Sequence, residues 1–177
     1  MIELHPGAEG LLLLFVGAVA AVDLCTRRIP NALTLSGAAV GMGACVWSGG
    51  AFGLLHSGAG LGVGLVAFLP FFLAGGFGAG DVKAMAAVGA FLGPKGALLA
   101  AAWTLVAGGV GGMTVFILHG GLGSLGRRAH ELALRAWSVY ATGRLSPSGN
   151  PLGEVARRRF PYGLAIACGT LASITWS

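Results

Sequence analysis

Long apolar runs set the terms for this chain. Six of them, at about 8–24, 32–48, 54–74, 80–93, 97–118 and 161–176, take up most of the 177 residues, and the charged residues fall between them or at their ends. A helix crosses the hydrocarbon layer of a bilayer with about 20 apolar residues, and roughly 17 to 25 are tolerated. Only 10% of the residues are charged, against about 25% in a soluble domain. Lipid is therefore the expected solvent. Backbone polar groups in lipid must be satisfied internally, which leaves helices for segments of this length. The expectation is an all-α polytopic membrane protein with about six transmembrane helices in a single integral-membrane domain, residues 1–177. The 33 glycines sit among Ala, Val and Leu. That setting suits membrane helices whose backbones approach closely.

The fourth run is short. About 13 residues at 1.5 Å rise cover only ~20 Å, and Pro94 follows. It reads either as a short span or as a re-entrant hairpin. The basic residues choose between these. If it spans, Arg27, Arg28, Lys83, Arg127, Arg128, Arg135, Arg144, Arg157, Arg158 and Arg159 share one side, and Lys95 alone is left on the other. Basic loops stay cytoplasmic. Six spans follow, with a basic cytoplasmic loop at about 119–160 and both termini on the far side. The first run lacks the basic leading segment of a secretory signal, having Glu3 and Glu9 instead, and reads as a retained span. The net charge of +5 belongs to these anchoring residues rather than to a nucleic-acid face.

Within the loop, Leu125, Ala129, Leu132, Ala136, Val139 and Tyr140 recur at helical spacing opposite Arg127, Arg128, Glu131 and Arg135. That pattern predicts an interfacial helix over 124–140, resting on anionic lipid or docking a partner. A flexible segment, 144–151, follows it. Three cysteines, Cys25, Cys45 and Cys168, lie far apart, and the four histidines show no ligand spacing. The cysteines read as small buried hydrophobes, and no metal site or cofactor is expected.

Only two aspartates occur, Asp23 and Asp81. Asp23 closes the first run and Asp81 opens the fourth. The proposed topology therefore puts both at the cytoplasmic edge and at similar depth. Acids at membrane depth are costly and call for a reason. Two nearby carboxylates cannot both ionise cheaply, so they share a proton and titrate as a pair. One can activate water while the other protonates a peptide carbonyl. Each aspartate also has a plainer use. Arg27, four residues on, offers Asp23 an ion pair, and Asp81 sits where it could cap the start of a helix. The glycines of the 75–80 stretch weaken helical structure and leave a mobile backbone that could take a peptide as an added strand.

Asp23-Leu24-Cys25-Thr26-Arg27-Arg28-Ile29-Pro30-Asn31, followed by an apolar run, resembles the first aspartate motif of prepilin peptidases, the type IV leader peptidases. Gly78-Ala79-Gly80-Asp81-Val82-Lys83 resembles the second, the Gly-x-Gly-Asp motif of membrane aspartic proteases. Arg159-Phe160-Pro161-Tyr162-Gly163 is similar to the start of the last helix in short members that serve tight-adherence pili. The resemblance implies six spans in the bacterial inner membrane and a site facing the cytoplasm. It implies cleavage of the basic leader from a prepilin or pseudopilin precursor, commonly after a glycine, with no cofactor. Asp23 and Asp81 carry over as the catalytic pair. Arg28, Ile29, Pro30, Asn31, Gly78, Gly80 and Lys83 carry over as substrate-binding or motif-supporting positions. The chain lacks the added cytoplasmic region with paired cysteines of the large bifunctional members, so N-methylation is not expected. From the residues alone two other classes stay open. One is a transporter or proton-conducting subunit, which would want its acids near the midplane. The other is a structural assembly subunit that could dispense with both aspartates.

Overall fold

The computed structural model describes residues 6–74, 76–118 and 162–176. Every regular element among them is helical: α1 (Pro6–Thr26), α2 (Asn31–Leu73), α3 (Ala79–Leu118) and α4 (Tyr162–Thr175). Three of these helices, α1, α2 and α3, are long and apolar enough to cross a membrane, and α4 is a shorter apolar helix. The predicted interfacial helix at 124–140 and the segment at 144–151 lie outside the described residues.

The chain turns out of α1 at Arg27, whose φ of 52° is left-handed. Pro30 then holds an extended conformation (φ −64°, ψ 140°) that starts α2. Its carbonyl accepts the first helical N–H groups, from Leu33 and Thr34.

At 43 residues α2 would run about 65 Å if straight, twice the hydrocarbon thickness. It does not run straight. Gly50 has φ 56°, ψ −135°, a conformation open to glycine. Beyond it the chain doubles back, because a Cβ at Gly53 would overlap the carbonyl of Cys45 eight residues earlier. A continuous helix would hold those positions about 12 Å apart. The same happens in α3 at Gly93 (φ 71°), after which Ala97 returns to within 3.3 Å of a Cβ placed on Gly89. So α2 consists of arms 31–49 and 51–73, and α3 of arms 79–92 and 94–118. The break in α3 falls one residue before Pro94, the residue expected to cause it.

Residues 6–109 and 162–176 belong to one compact unit; a second unit begins at Val110, and its described part is the end of α3. In the first unit the short arm 79–92 is the hub. Ala84, Met85, Ala87, Val88, Ala90 and Phe91 are all buried, against Leu12, Phe15, Val16 and Val19 of α1, Phe68 of α2 and Ile166 of α4. Small residues make this density possible. Gly60 and Gly89 meet backbone to backbone, and Gly64 lies against the Met85 carbonyl. Large apolar side chains such as Leu14, Trp47, Phe52 and Leu55 point outward, as suits a body bathed in hydrocarbon.

The reversal at Gly93 leaves backbone carbonyls without helical partners. In an unbroken helix the Ala90 carbonyl would be served by residue 94, a proline with no N–H. Here Ser57 Oγ donates to it at 2.6 Å, and the Cys45 thiol lies 3.5 Å away. Of the three cysteines, then, only Cys45 fits the buried small-hydrophobe expectation. Cys25 and Cys168 are exposed, because the helix phase that buries Asp23 and Gly169 turns them outward.

Candidate active site

Asp23 follows Val16, Val19 and Ala20 on the inward stripe of α1, so helical periodicity carries it into the core. It is 6% exposed. Its Oδ2 accepts a 2.7 Å hydrogen bond from the backbone N–H of Gly163, one of the first-turn donors of α4 that has no partner within its own helix. A Cβ at Gly163 would stand 2.7 Å from Asp23 Cβ and 3.1 Å from the Val19 carbonyl. Glycine is what lets α4 approach. Arg27 does not take the carboxylate as the local alternative foresaw. It leaves the helix in its left-handed turn and is exposed.

Asp81 is the third residue of α3 and 8% exposed. Its Oδ2 accepts the N–H of Gly78 at 2.8 Å, half of a capping box, in the field of the helix N-terminus. The plainer reading of Asp81 as a helix-start residue is thus correct for that oxygen, and it coexists with deep burial beside α4. The connector before it is a compact turn, with Gly76 N–H bonded to the Phe71 carbonyl at 2.9 Å. It is not the extended strand that its glycines allowed.

The two aspartate motifs meet. A Cβ on Gly80 would lie 3.0 Å from Ile29 Cβ, so the second motif packs on the first. Lys83 Nζ donates to Asn31 Oδ1 at 2.8 Å, joining the start of α2 to the first turn of α3. Pro30 sets the turn between them. Arg28 is exposed, its backbone N–H directed at Thr26 Oγ1 3.4 Å away.

Three residues at this end had no assigned role in the sequence reading. Tyr162 packs edge-on against Phe77 with centroids 4.5 Å apart, and Phe77 stacks on Phe68 at 4.9 Å. The Tyr162 phenol is close enough to Asp81 to feel its charge. Gly163, as described, holds Asp23. The signal available in the sequence was a Tyr-Gly pair directly after Pro161, at the expected start of the last helix. Among the described residues no group of His, Cys, Asp and Glu has the arrangement of a metal site.

Two buried carboxylates, from the end of one helix and the start of another, thus adjoin the start of α4, Asp23 by its bond to Gly163 and Asp81 through the Phe77 ring that packs on Tyr162. A model of the type IV leader peptidase family matches residues 10–113, which include both aspartates and every residue of the two motifs. The chain belongs to the type IV leader peptidase family. The match covers more than half of the sequence and makes the protein a peptidase, hence a hydrolase. It lends nothing to the transporter alternative. No curated protein and no solved structure matches the chain. Tyr162 and Gly163 lie beyond the range matched by the family model.

Proposed function

We propose that this peptidase is a membrane-embedded aspartic endopeptidase that removes the basic leader from type IV pilin-like precursors. Asp23 and Asp81 are its catalytic pair. The observation that supports this reading is that both buried carboxylates adjoin the start of α4, Asp23 by its bond to Gly163 and Asp81 through Gly78 and the neighbouring Phe77, which packs on Tyr162. The six helical arms suit six spans in a bacterial inner membrane, and the one-sided distribution of Arg and Lys along the sequence supports a cytoplasmic aspartate end. There the precursor would present its leader, while its apolar helix stays in the bilayer.

In this scheme the ionised carboxylate removes a proton from water as the water oxygen bonds to the scissile carbonyl carbon. The other carboxyl group gives its proton to the carbonyl oxygen. The pair has then exchanged roles. The newly protonated acid delivers its proton to the amide nitrogen, the C–N bond breaks, and the hydroxyl proton returns to the other carboxylate. Burial holds this exchange in a low-dielectric setting, where charge on the two groups is strongly coupled.

The test is cleavage of a synthetic or purified precursor by the purified, lipid-embedded protein. Asp23→Asn and Asp81→Asn should each abolish cleavage while the protein stays folded, and the double variant should be no worse than either single one. Near-normal cleavage by either variant refutes the pair.

A further inference from the structure

Asp23 and Asp81 come from two different helices, and one short piece of a third reaches both. We propose that the start of α4 is a working part of the peptidase site, with the Gly163 N–H positioning the Asp23 carboxylate and Tyr162 positioning Asp81. This rests on the reading of the two aspartates as the catalytic pair, and it assigns roles to residues outside the span matched by the family model.

The case for Gly163 is direct. Its N–H meets Asp23 Oδ2 at 2.7 Å inside the core, and any side chain there would strike Asp23 itself. The carboxylate is thereby fixed to a different helix from the one that carries it. A carboxylate held only by its own flexible χ angles would sample several directions. One gripped across helices keeps one.

Tyr162 acts on Asp81 by two routes. Its phenol lies within reach of the Asp81 charge. Its ring packs edge-on against Phe77 at 4.5 Å, and Phe77 is wedged in turn by Phe68 and Phe71, at 4.9 Å and 5.5 Å. Phe77 immediately precedes Gly78, whose N–H holds Asp81 Oδ2. Fixing Phe77 therefore fixes the donor that orients the carboxylate. Among the described residues, the basic groups near this end are turned away. Lys83 bonds to Asn31, and Arg27 and Arg28 are exposed. Asp81 is the acid whose charge reaches Tyr162.

Removing only the phenol oxygen separates these effects, because Tyr162→Phe keeps the ring packing. With the wild-type protein in lipid nanodiscs and a basic-leader precursor as substrate, Tyr162→Phe should leave thermal stability and KM nearly unchanged. It should lower kcat about tenfold, a loss in kcat at constant KM and stability that a merely structural change would not give. Gly163→Ala should reduce kcat by about 100-fold, as expected for a misplacement near 1 Å. Asp23→Asn and Asp81→Asn run beside them. If these destroy cleavage but Tyr162→Phe and Gly163→Ala keep the wild-type rate, the role of α4 is refuted and the catalytic pair stands. If either Asn variant cleaves normally, the pair falls, and the positioning role falls with it.

Discussion

Gly64→Ala should disable this protein in a way that its near neighbour Gly62→Ala does not. The two glycines lie two residues apart on the second arm of α2. An added methyl at Gly64 would stand 2.5 Å from the Met85 carbonyl oxygen and 3.0 Å from its carbon, whereas one at Gly62 would meet nothing within 4 Å. Ordinary contact begins near 3.4 Å, and the obstacle is backbone, which cannot rotate aside. The arms 51–73 and 79–92 must therefore part by about 1 Å. Overpacking of this kind typically costs about 1–3 kcal/mol. Met85 is one helical turn from Asp81, so the displacement reaches the carboxylate, where about 1 Å of misplacement costs on the order of 100-fold in rate. Gly62→Ala should be neutral or slightly stabilising, since alanine is the better helix former by about 1 kcal/mol. Thermal midpoints and precursor cleavage rates of the two purified variants decide the matter. Equal stability and equal rates would refute the backbone contact between the arms and, with it, the central position of arm 79–92.

Asp23→Ala should lower stability by about 1–2 kcal/mol relative to Asp23→Asn, because an Asn oxygen can still accept from Gly163 and a methyl cannot; equal thermal midpoints would refute the cross-helix bond. Ser57→Ala should cost about 1 kcal/mol, since it leaves the Ala90 carbonyl to a weak thiol, and a double variant with Cys45→Ala should cost more than Ser57→Ala alone. For topology, Cys25 and Cys168 are exposed and should first be replaced. Cysteines then introduced near residues 50 and 95 should react with an impermeant reagent outside intact cells, and those in 119–160 should not; external labelling of that loop would overturn the six-span arrangement.

The apolar runs placed the helices well because hydrophobic length is a local property. The gap between the second and third runs falls at Gly50, and the shortness of the fourth was read correctly up to the break beside Pro94. What the sequence could not show was that this shortest segment is the buried hub. Its Ala-rich composition is the mark of close packing, but composition does not say against what. Burial of the two aspartates agrees with their rarity in an apolar chain. Their partners were harder to foresee. Asp81 bonds locally, at a spacing that a capping rule anticipates. Asp23 bonds to Gly163, 140 residues away, and no local rule links them. The Ile29–Gly80 contact and the Lys83–Asn31 bond are legible only as two motifs of one family, not as a distance.

The bond between Asp23 and Gly163 also orders events during biosynthesis. Chains emerge N-terminus first, at about 5–20 residues per second. Helix α1 therefore enters the membrane with an acid at its end whose backbone partner has not been made. Gly163 follows Asp81 by about 80 residues, a wait of roughly 4–16 s at that rate. Until α4 docks, the growing chain holds both aspartates without the element that joins them. If α4 has the role proposed for it, a nascent chain carries an unassembled site until this helix is in place.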